Sequence, residues 1–196
     1  MTSSTQPNLP PGFRQVVADV RSAPWRPEVL IEEMPSPQRI APYSVALGAD
    51  VVTSSHEELG SGRLVLLHDP SGNEAWDGTY RCVTFSKAEV EPEMVRDPLL
   101  AEVGWSWLTD ALATHGADYR AVSGTVSAVI STPFGELAGD PGSAEVEIRA
   151  SWTPDLSQPG AVQAHLSAWQ DLLCMTSGLP PVPPGVVPIL AKRSRR

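Results

Sequence analysis

Apolar residues recur at helical spacing in three segments of the chain. Residues 12–22 predict a short N-terminal helix whose apolar face consists of Phe13, Val16, Val17 and Val20. The strongest stripe predicts a helix over residues 98–115, with Asp97 as N-cap before Pro98; its members are Leu100, Val103, Gly104, Trp107, Leu108, Ala111 and Leu112. A third helix is predicted over residues 160–177, which ends at Gly178.

Alternating apolar and polar residues predict the strands. These lie around Val29 and Ile31 and over residues 43–53, 63–68, 79–86, 119–132 and 144–152. In the strand at 79–86, one side carries Arg81, Val83 and Phe85. Residues 54–62, with Gly60 and Gly62, are interpreted as a loop, and residues 69–72 as a tight turn.

The order of these elements predicts an α+β fold. Strands joined by short turns pair antiparallel, which gives an antiparallel sheet of five to six strands. Two amphipathic helices are expected to pack on one face, and a short N-terminal helix precedes the strands. We expect a disordered tail at 1–11, a single domain at 12–179, and a proline-rich and then basic tail at 180–196.

The charge distribution indicates which class of partner the protein can bind. The 196 residues carry a net charge of −9, although Lys192, Arg193, Arg195 and Arg196 lie at the C-terminal end. Without those four residues, the rest of the chain carries −13. A domain with this much negative charge repels the phosphate backbone of a nucleic acid, so direct nucleic-acid binding by the folded part is not expected. A basic protein is the partner that this charge favours.

The cysteines and histidines predict neither a cofactor nor a metal site. Cys82 and Cys174 lie far apart within apolar patterns, where a thiol acts as a small hydrophobe. The four histidines (His56, His68, His115 and His165) lack the spacing of metal ligands. No apolar run approaches the ~20 residues that a membrane helix needs, and the first residues do not resemble a signal peptide. We expect a cytoplasmic protein.

The densest group of polar side chains lies between two predicted strands. It comprises His68, Asp69, Glu74, Trp76 and Asp77. Loops carry function more often than cores, so these residues form a candidate binding site. Alternatively, the segment is a hairpin loop whose polar residues support the turn and whose tryptophan packs over a sheet edge.

Trp105 is a further candidate binding residue because it lies off the stripe of the helix at 98–115. Either the buried face of that helix is wide, or Trp105 contacts a partner or the proline-rich tail. Glu145 and Glu147 share a face with Arg149 and are interpreted as ordinary surface. Glu89, Glu91 and Glu93 line either a cation site or a docking patch for a basic partner, or they form a solvated strand end.

Long stretches of the chain resemble one known family. They read RPEVLIEEMPSPQRIAPYSVAL, GRLVLLHDPSGNEAW, EPEMVRDPLLAEVGWSWL and AEVEIRASWTP, the last followed by AHLSAWQDLLC. Over residues 12–180 the chain resembles the actinobacterial family known as domain of unknown function 3000. The resemblance implies a bacterial cytoplasmic protein without an assigned activity, cofactor or catalytic residue.

Two functions follow as hypotheses. The first is a non-enzymatic interaction or regulatory domain with an acidic docking surface for a basic protein. The alternative is a small enzyme or ligand-binding domain with a site near residues 68–77, which requires His68, Asp69 and Glu74 to converge on one pocket.

Overall fold

The computed structural model describes residues 9–37 and 39–181. The helices are α1 (Pro11–Arg21), α2 (Leu100–Thr114) and α3 (Ala161–Thr176). The strands are β1 (Val29–Met34), β2 (Tyr43–Val52), β3 (Glu58–Asn73), β4 (Gly78–Glu89), β5 (Tyr119–Ser131) and β6 (Ser143–Pro154). Most of the two predicted tails, residues 1–8 and 182–196, lies outside the described residues.

All six strands form one antiparallel sheet in the order β1-β2-β3-β4-β6-β5. The connection through α2 carries the chain from β4 to the far edge, where β5 lies. β6 then returns between β4 and β5. This confirms the predicted α+β fold with an antiparallel sheet and a short N-terminal helix.

The helices cover one face of the sheet and enclose the main core. The largest side chains that are fully buried there are Phe13, Leu108, Leu112, Ile148, Trp152, Trp169, Leu172 and Leu173. The ring of Trp169 lies edge-on against Trp25, with 5.9 Å between the ring centroids, and its Nε1–H donates to Thr84 Oγ1 at 2.9 Å. α3 is therefore fixed to the middle of the sheet by both packing and a hydrogen bond.

The prediction of a loop at residues 54–62 was wrong over the second half of that segment, because β3 begins at Glu58. Gly60 and Gly62 are strand residues at positions where α3 approaches the backbone. A Cβ atom on Gly60 would meet Ser177, and one on Gly62 would meet Leu173 and lie 2.9 Å from the Phe85 carbonyl oxygen. These glycines permit close helix–sheet packing, whereas the sequence pattern resembled a turn.

Two other boundaries also differ from the prediction. The turn expected at residues 69–72 is an irregular part of β3, and the chain reverses at the 3-10 helix Glu74–Trp76. α2 begins at Leu100 rather than at residue 98. Asp97 Oδ1 accepts a hydrogen bond from the Leu99 backbone N–H at 2.9 Å, so its carboxylate caps the turn before the helix. A separate 3-10 helix, Met94–Arg96, precedes that turn.

A search of the described residues for helices long and apolar enough to span a bilayer found none.

Candidate binding surface on the open face of the sheet

Within residues 9–37 and 39–181, no α-helix lies on the second face of the sheet, whose central residues alternate with those of the core. Leu64 and Leu66 of β3 belong to the core, so Arg63 and Val65 point the other way. Strand register places Phe85 opposite both Arg63 and Arg149, and Val83 opposite both Val65 and Ser151. We call this surface the open face.

The middle of the open face is a shallow groove of about 750 Å³. That volume lies within the range of small-molecule sites, roughly 300–1,000 Å³. The floor is apolar, and Val83 is 38% exposed although it lies in a central strand. The side chains that supply this floor and its polar surround are Arg63, Val65, Val83, Phe85, Ser123, Thr125, Arg149 and Ser151.

Arg81 lies at one end of this groove and is only 8% exposed. Its Nη1 donates to the Ala121 carbonyl oxygen at 2.8 Å and to Thr153 Oγ1 at 3.1 Å. Its Nη2 donates to Ser151 Oγ at 2.7 Å and to Ser123 Oγ at 3.4 Å. All four acceptors are neutral, and no carboxylate among the described residues forms a salt bridge with Arg81. Burial lowers the pKa of the Arg81 guanidinium.

A buried arginine without a carboxylate partner is unusual, because removing a charge from water is costly unless it is paired. The backbone of β5 is irregular where Arg81 contacts it. The register with β6 shifts between Arg120 and Ser123, and Ala121 adopts a φ of 51°, in the left-handed region. This bulge supplies the carbonyl oxygen that Arg81 binds. Bulges of this kind commonly redirect groups at functional sites.

The two exposed arginines of the groove differ in their partners. Arg149 Nη1 lies 2.6 Å from Glu147 Oε2, and its guanidinium carbon lies 4.9 Å from the centre of the Phe85 ring. Within the described residues, the Arg63 side chain has no hydrogen bond or ion pair. Its charge is therefore free to meet a ligand.

The opposite end of the open face is acidic. Glu58, Glu89 and Glu145 line a cleft of about 290 Å³ together with Lys87, and Glu89 lies directly opposite Glu145 in the register. Among the described residues, no three His, Cys, Asp or Glu side chains are placed to hold a metal ion. The open face thus changes from cationic at Arg81 to anionic at Glu145.

The candidate residue His68 lies on the helix-covered face. Its ring stacks on Tyr80 and Phe13, with centroid distances of 4.2 and 5.3 Å, and its Nδ1 lies 3.0 Å from the Thr79 carbonyl oxygen. Burial lowers the pKa of His68, although the Thr79 carbonyl and the Asp69 charge act in the opposite direction. His68 is therefore part of the packing between α1 and the sheet.

The other candidate loop residues do not join His68. Asp69 Oδ1 accepts hydrogen bonds from the Ser71 hydroxyl at 2.6 Å and from its backbone N–H at 3.0 Å, and these bonds lower the pKa of Asp69. Glu74 is exposed in the 3-10 helix. The structure therefore does not bring His68, Asp69 and Glu74 together in one pocket.

The tip of the hairpin between β3 and β4 is held against β5 and β6. Trp76 is half-buried, and its carbonyl oxygen accepts a hydrogen bond from Thr153 Oγ1. Asp77 has a φ of 54°, and its carbonyl oxygen accepts a hydrogen bond from Arg120 Nε at 2.6 Å. These contacts connect the tip to the residues that surround Arg81.

Trp105 packs over β5, half-buried at the margin of the core. A Cβ atom on Gly124 would lie only 2.7 Å from Trp105 Cζ3, so the indole sits directly on the backbone of that strand. This position supports the interpretation of a wide buried face on α2. Residues 182–196, which include most of the proline-rich tail, lie outside the described residues.

Cys82, Cys174 and His165 are buried in the core, whereas His56 is exposed and the partly exposed His115 has its Nε2 2.7 Å from Asp171 Oδ2. Burial raises the pKa of the Cys82 thiol and raises that of Cys174 to about 11. His165 is 3% exposed, and its Nδ1 accepts a hydrogen bond from Trp152 Nε1 at 3.2 Å. Burial lowers the pKa of His165 to about 4, against smaller opposing effects of Asp118 and Asp155. These three buried side chains pack the interior.

Sequence reasoning missed the residues of the groove, although part of the signal was visible. Arg81, Val83 and Phe85 were assigned to one side of their strand, and Arg149 was interpreted as ordinary surface. An exposed side of a central strand that carries valine, phenylalanine and arginine is unusual for a purely solvated face. Ser123 and Ser151 offered no separate signal, since serine is common on exposed strands.

The fold and its surfaces define an α+β domain with one face of the sheet covered by helices and a charged groove on the other. The chain belongs to the family described as protein of unknown function (DUF3000), whose model matches residues 9–187. This confirms the family resemblance seen in the sequence. Comparison with curated proteins and comparison with solved structures each found no match.

Proposed function

We propose that this protein is a non-enzymatic binding domain that takes a small anionic ligand with an apolar part in the groove of the open face. One observation carries the proposal: Arg63 and Arg149 line a groove with an exposed apolar floor, and Arg81 lies behind Ser123 and Ser151 at one end of it. Guanidinium groups are well suited to carboxylate, sulfonate and phosphate oxygens. The floor suits an aliphatic or aromatic group attached to such an anion.

The overall charge supports a small ligand rather than a polyanion. At −9 for the whole chain, the long-range field opposes the approach of a nucleic acid. Salt screens such fields over roughly 10 Å, whereas contacts within the groove act over shorter distances. A ligand with one compact anionic group can therefore bind where a long phosphate backbone is repelled.

The types of polar group in the groove support binding rather than catalysis. Arginine cannot accept a proton from a substrate at neutral pH, and it acts as a fixed donor. The imidazoles of His68 and His165 are packed in the core. Ser123 and Ser151 accept hydrogen bonds from Arg81, which does not activate them as nucleophiles.

Charge reversal at Arg63 tests the proposal. The probe is anilinonaphthalene sulfonate, an anionic aromatic dye whose fluorescence rises on binding to apolar surface. We expect Arg63→Glu to raise its dissociation constant about tenfold or more, equivalent to about 1.4 kcal/mol. Arg96→Glu is the matched control, because it changes the net charge equally at an exposed residue outside the groove.

A dissociation constant that is unchanged from the wild type in both variants would place the binding site elsewhere and contradict the proposal. Equal weakening of both variants would do the same, because it would show that the dye responds only to net charge. Measurement of each variant's melting temperature ensures that the folded proteins are compared.

The acidic end of the open face supports a second candidate function, the docking of a basic protein. The observation that favours it is the direct opposition of Glu89 and Glu145, with Glu58 in the same cleft. Like charges placed opposite each other in a sheet are destabilising. A positively charged partner would relieve this repulsion.

The acidic docking surface is tested with an octalysine peptide at low salt. We expect the double variant Glu89→Gln/Glu145→Gln to bind about tenfold more weakly than the double variant Glu74→Gln/Asp110→Asn, which removes the same charge from other exposed positions. Isothermal titration measures both affinities. Equal affinities would show that the peptide senses only net charge and would remove this candidate.

A further inference from the structure

We propose that Ser123 and Ser151 bind the anionic head of the ligand, that this head is a phosphate monoester, and that Arg81 supplies charge from behind the two serines. The inference rests on the proposed function, because it assigns a ligand class and an orientation to the same groove. Its starting point is the hydrogen bonding of Arg81.

The hydrogen bonds from Arg81 use the two serine oxygens as acceptors and leave the hydroxyl hydrogens for other partners. Arg81 Nη2 donates to the Oγ atoms of both Ser123 and Ser151. A hydroxyl that accepts from a guanidinium retains its own hydrogen for donation. Both serines line the groove, so these hydrogens can be directed toward a ligand.

The two serine oxygens are close enough to act on one group. Ser123 Oγ and Ser151 Oγ lie 3.4 Å apart in a long hydrogen bond that either hydroxyl can donate, so a ligand oxygen must replace that bond to accept from both. An oxygen atom at normal hydrogen-bond distance from one hydroxyl, about 2.7 Å, can therefore be at the same distance from the other. A single oxyanion can accept from both serines and remain close to the Arg81 charge.

The local charge favours a dianion over a monocarboxylate. Arg149 is paired with Glu147, while Arg63 and Arg81 have no carboxylate partner among the described residues. Arg81 supplies the uncompensated charge at the serines, and Arg63 adds a second one across the groove, on the second strand from Ser151. A phosphate monoester carries roughly −1.5 to −2 at neutral pH, so it gains more from these two charges than a monocarboxylate does.

The backbone around Arg81 indicates that this arrangement has a role beyond sheet stability. A buried cation with neutral partners is costly, and Ala121 occupies a left-handed conformation to supply one of those partners. Regular pairing of β5 with β6 requires neither feature. Both are accounted for by an anion that completes the site.

The rest of the ligand would lie along the apolar floor. Val83 lies opposite Ser151, and Phe85 is two residues further along the same strand. A group attached to a phosphate at the serines therefore meets Val83 and then Phe85. The inferred ligand is a phosphate monoester that carries an aromatic or aliphatic group.

Isothermal titration of the full chain with phenyl phosphate and with benzoate tests this inference. We expect phenyl phosphate to bind about tenfold more tightly than benzoate. The double variant Ser123→Ala/Ser151→Ala should lose about tenfold or more of the phenyl phosphate affinity. Ser127→Ala is the control, because Ser127 lies on the same strand as Ser123 but opposite Glu147.

Unchanged phenyl phosphate affinity in the double variant would overturn the serine subsite, and so would an equal loss in Ser127→Ala. Benzoate binding as tight as that of phenyl phosphate would overturn the ligand class. If the dye still binds in an Arg63-dependent manner in these cases, the proposed function stands and only the subsite fails. If neither phosphate nor dye binds to the wild-type chain, both proposals fail.

Discussion

Replacement of Trp169 with alanine is expected to lower the free energy of unfolding by about 3–5 kcal/mol, the usual cost of truncating a buried tryptophan. Trp169 is fully buried where α3 crosses the middle of the sheet. Its indole N–H donates to Thr84 Oγ1, and the Thr84 hydroxyl donates to the Arg63 carbonyl oxygen at 2.8 Å. The variant would lose both the packing and this link from the helix layer to β3. Urea unfolding followed by circular dichroism measures the change.

Trp169→Phe separates the two contributions. Phenylalanine retains most of the ring packing but leaves Thr84 without the indole donor, so we expect a smaller loss of about 1–2 kcal/mol. A loss below about 1 kcal/mol in Trp169→Ala would contradict the role of Trp169 in fixing α3 to the middle of the sheet.

Acidification is expected to destabilise the protein through His165. The folded state holds the pKa of this imidazole at about 4, below the ordinary value of 6.5, because the ring is buried. Between these two values the unfolded chain binds a proton that the folded chain does not bind, so stability falls as the pH falls. This stability is fully present above pH 6.5, and about 3 kcal/mol of it is lost by pH 4, at about 1.36 kcal/mol per pKa unit.

His165→Asn isolates this contribution. Asparagine does not titrate, and its Oδ1 can accept the Trp152 N–H in place of Nδ1. We expect the free energy of unfolding of the variant to depend less on pH between 6.5 and 4 than that of the wild type. His56→Asn is the control, because His56 is exposed and has a φ of 66°, a conformation that asparagine tolerates. Parallel pH profiles for His165→Asn and the wild type would contradict the buried, neutral imidazole.

Much of the fold could be predicted from periodicity, because most elements have one apolar side. α2 and α3 were correctly placed to within two residues, and the alternation in β6 correctly indicated one buried and one exposed face. The start of β3 was missed because Gly60 and Gly62 resemble turn residues. Their role depends on Ser177 and Leu173, which are more than a hundred positions away in the chain.

The groove could not be predicted in the same way, because it depends on neighbours across strands. Arg63, Arg81 and Arg149 lie on three different strands, and only the order in which β6 lies beside β4 places them on one surface. The carbonyl that holds Arg81 comes from a bulge at Ala121, which has no local signature such as glycine. The loop at residues 68–77 was favoured instead because its polar residues are adjacent in the sequence. Alternation along β3 separates His68 from Asp69.

The most direct test of the central claim is the amide NMR shift map of the full chain titrated with anilinonaphthalene sulfonate. If the open face is the binding site, the largest shifts will occur at residues 63, 65, 83–85, 123–125 and 149–151, which line the groove. Shifts concentrated instead at the hairpin tip around Glu74–Trp76, or on the exposed surfaces of α2 and α3, would contradict the claim.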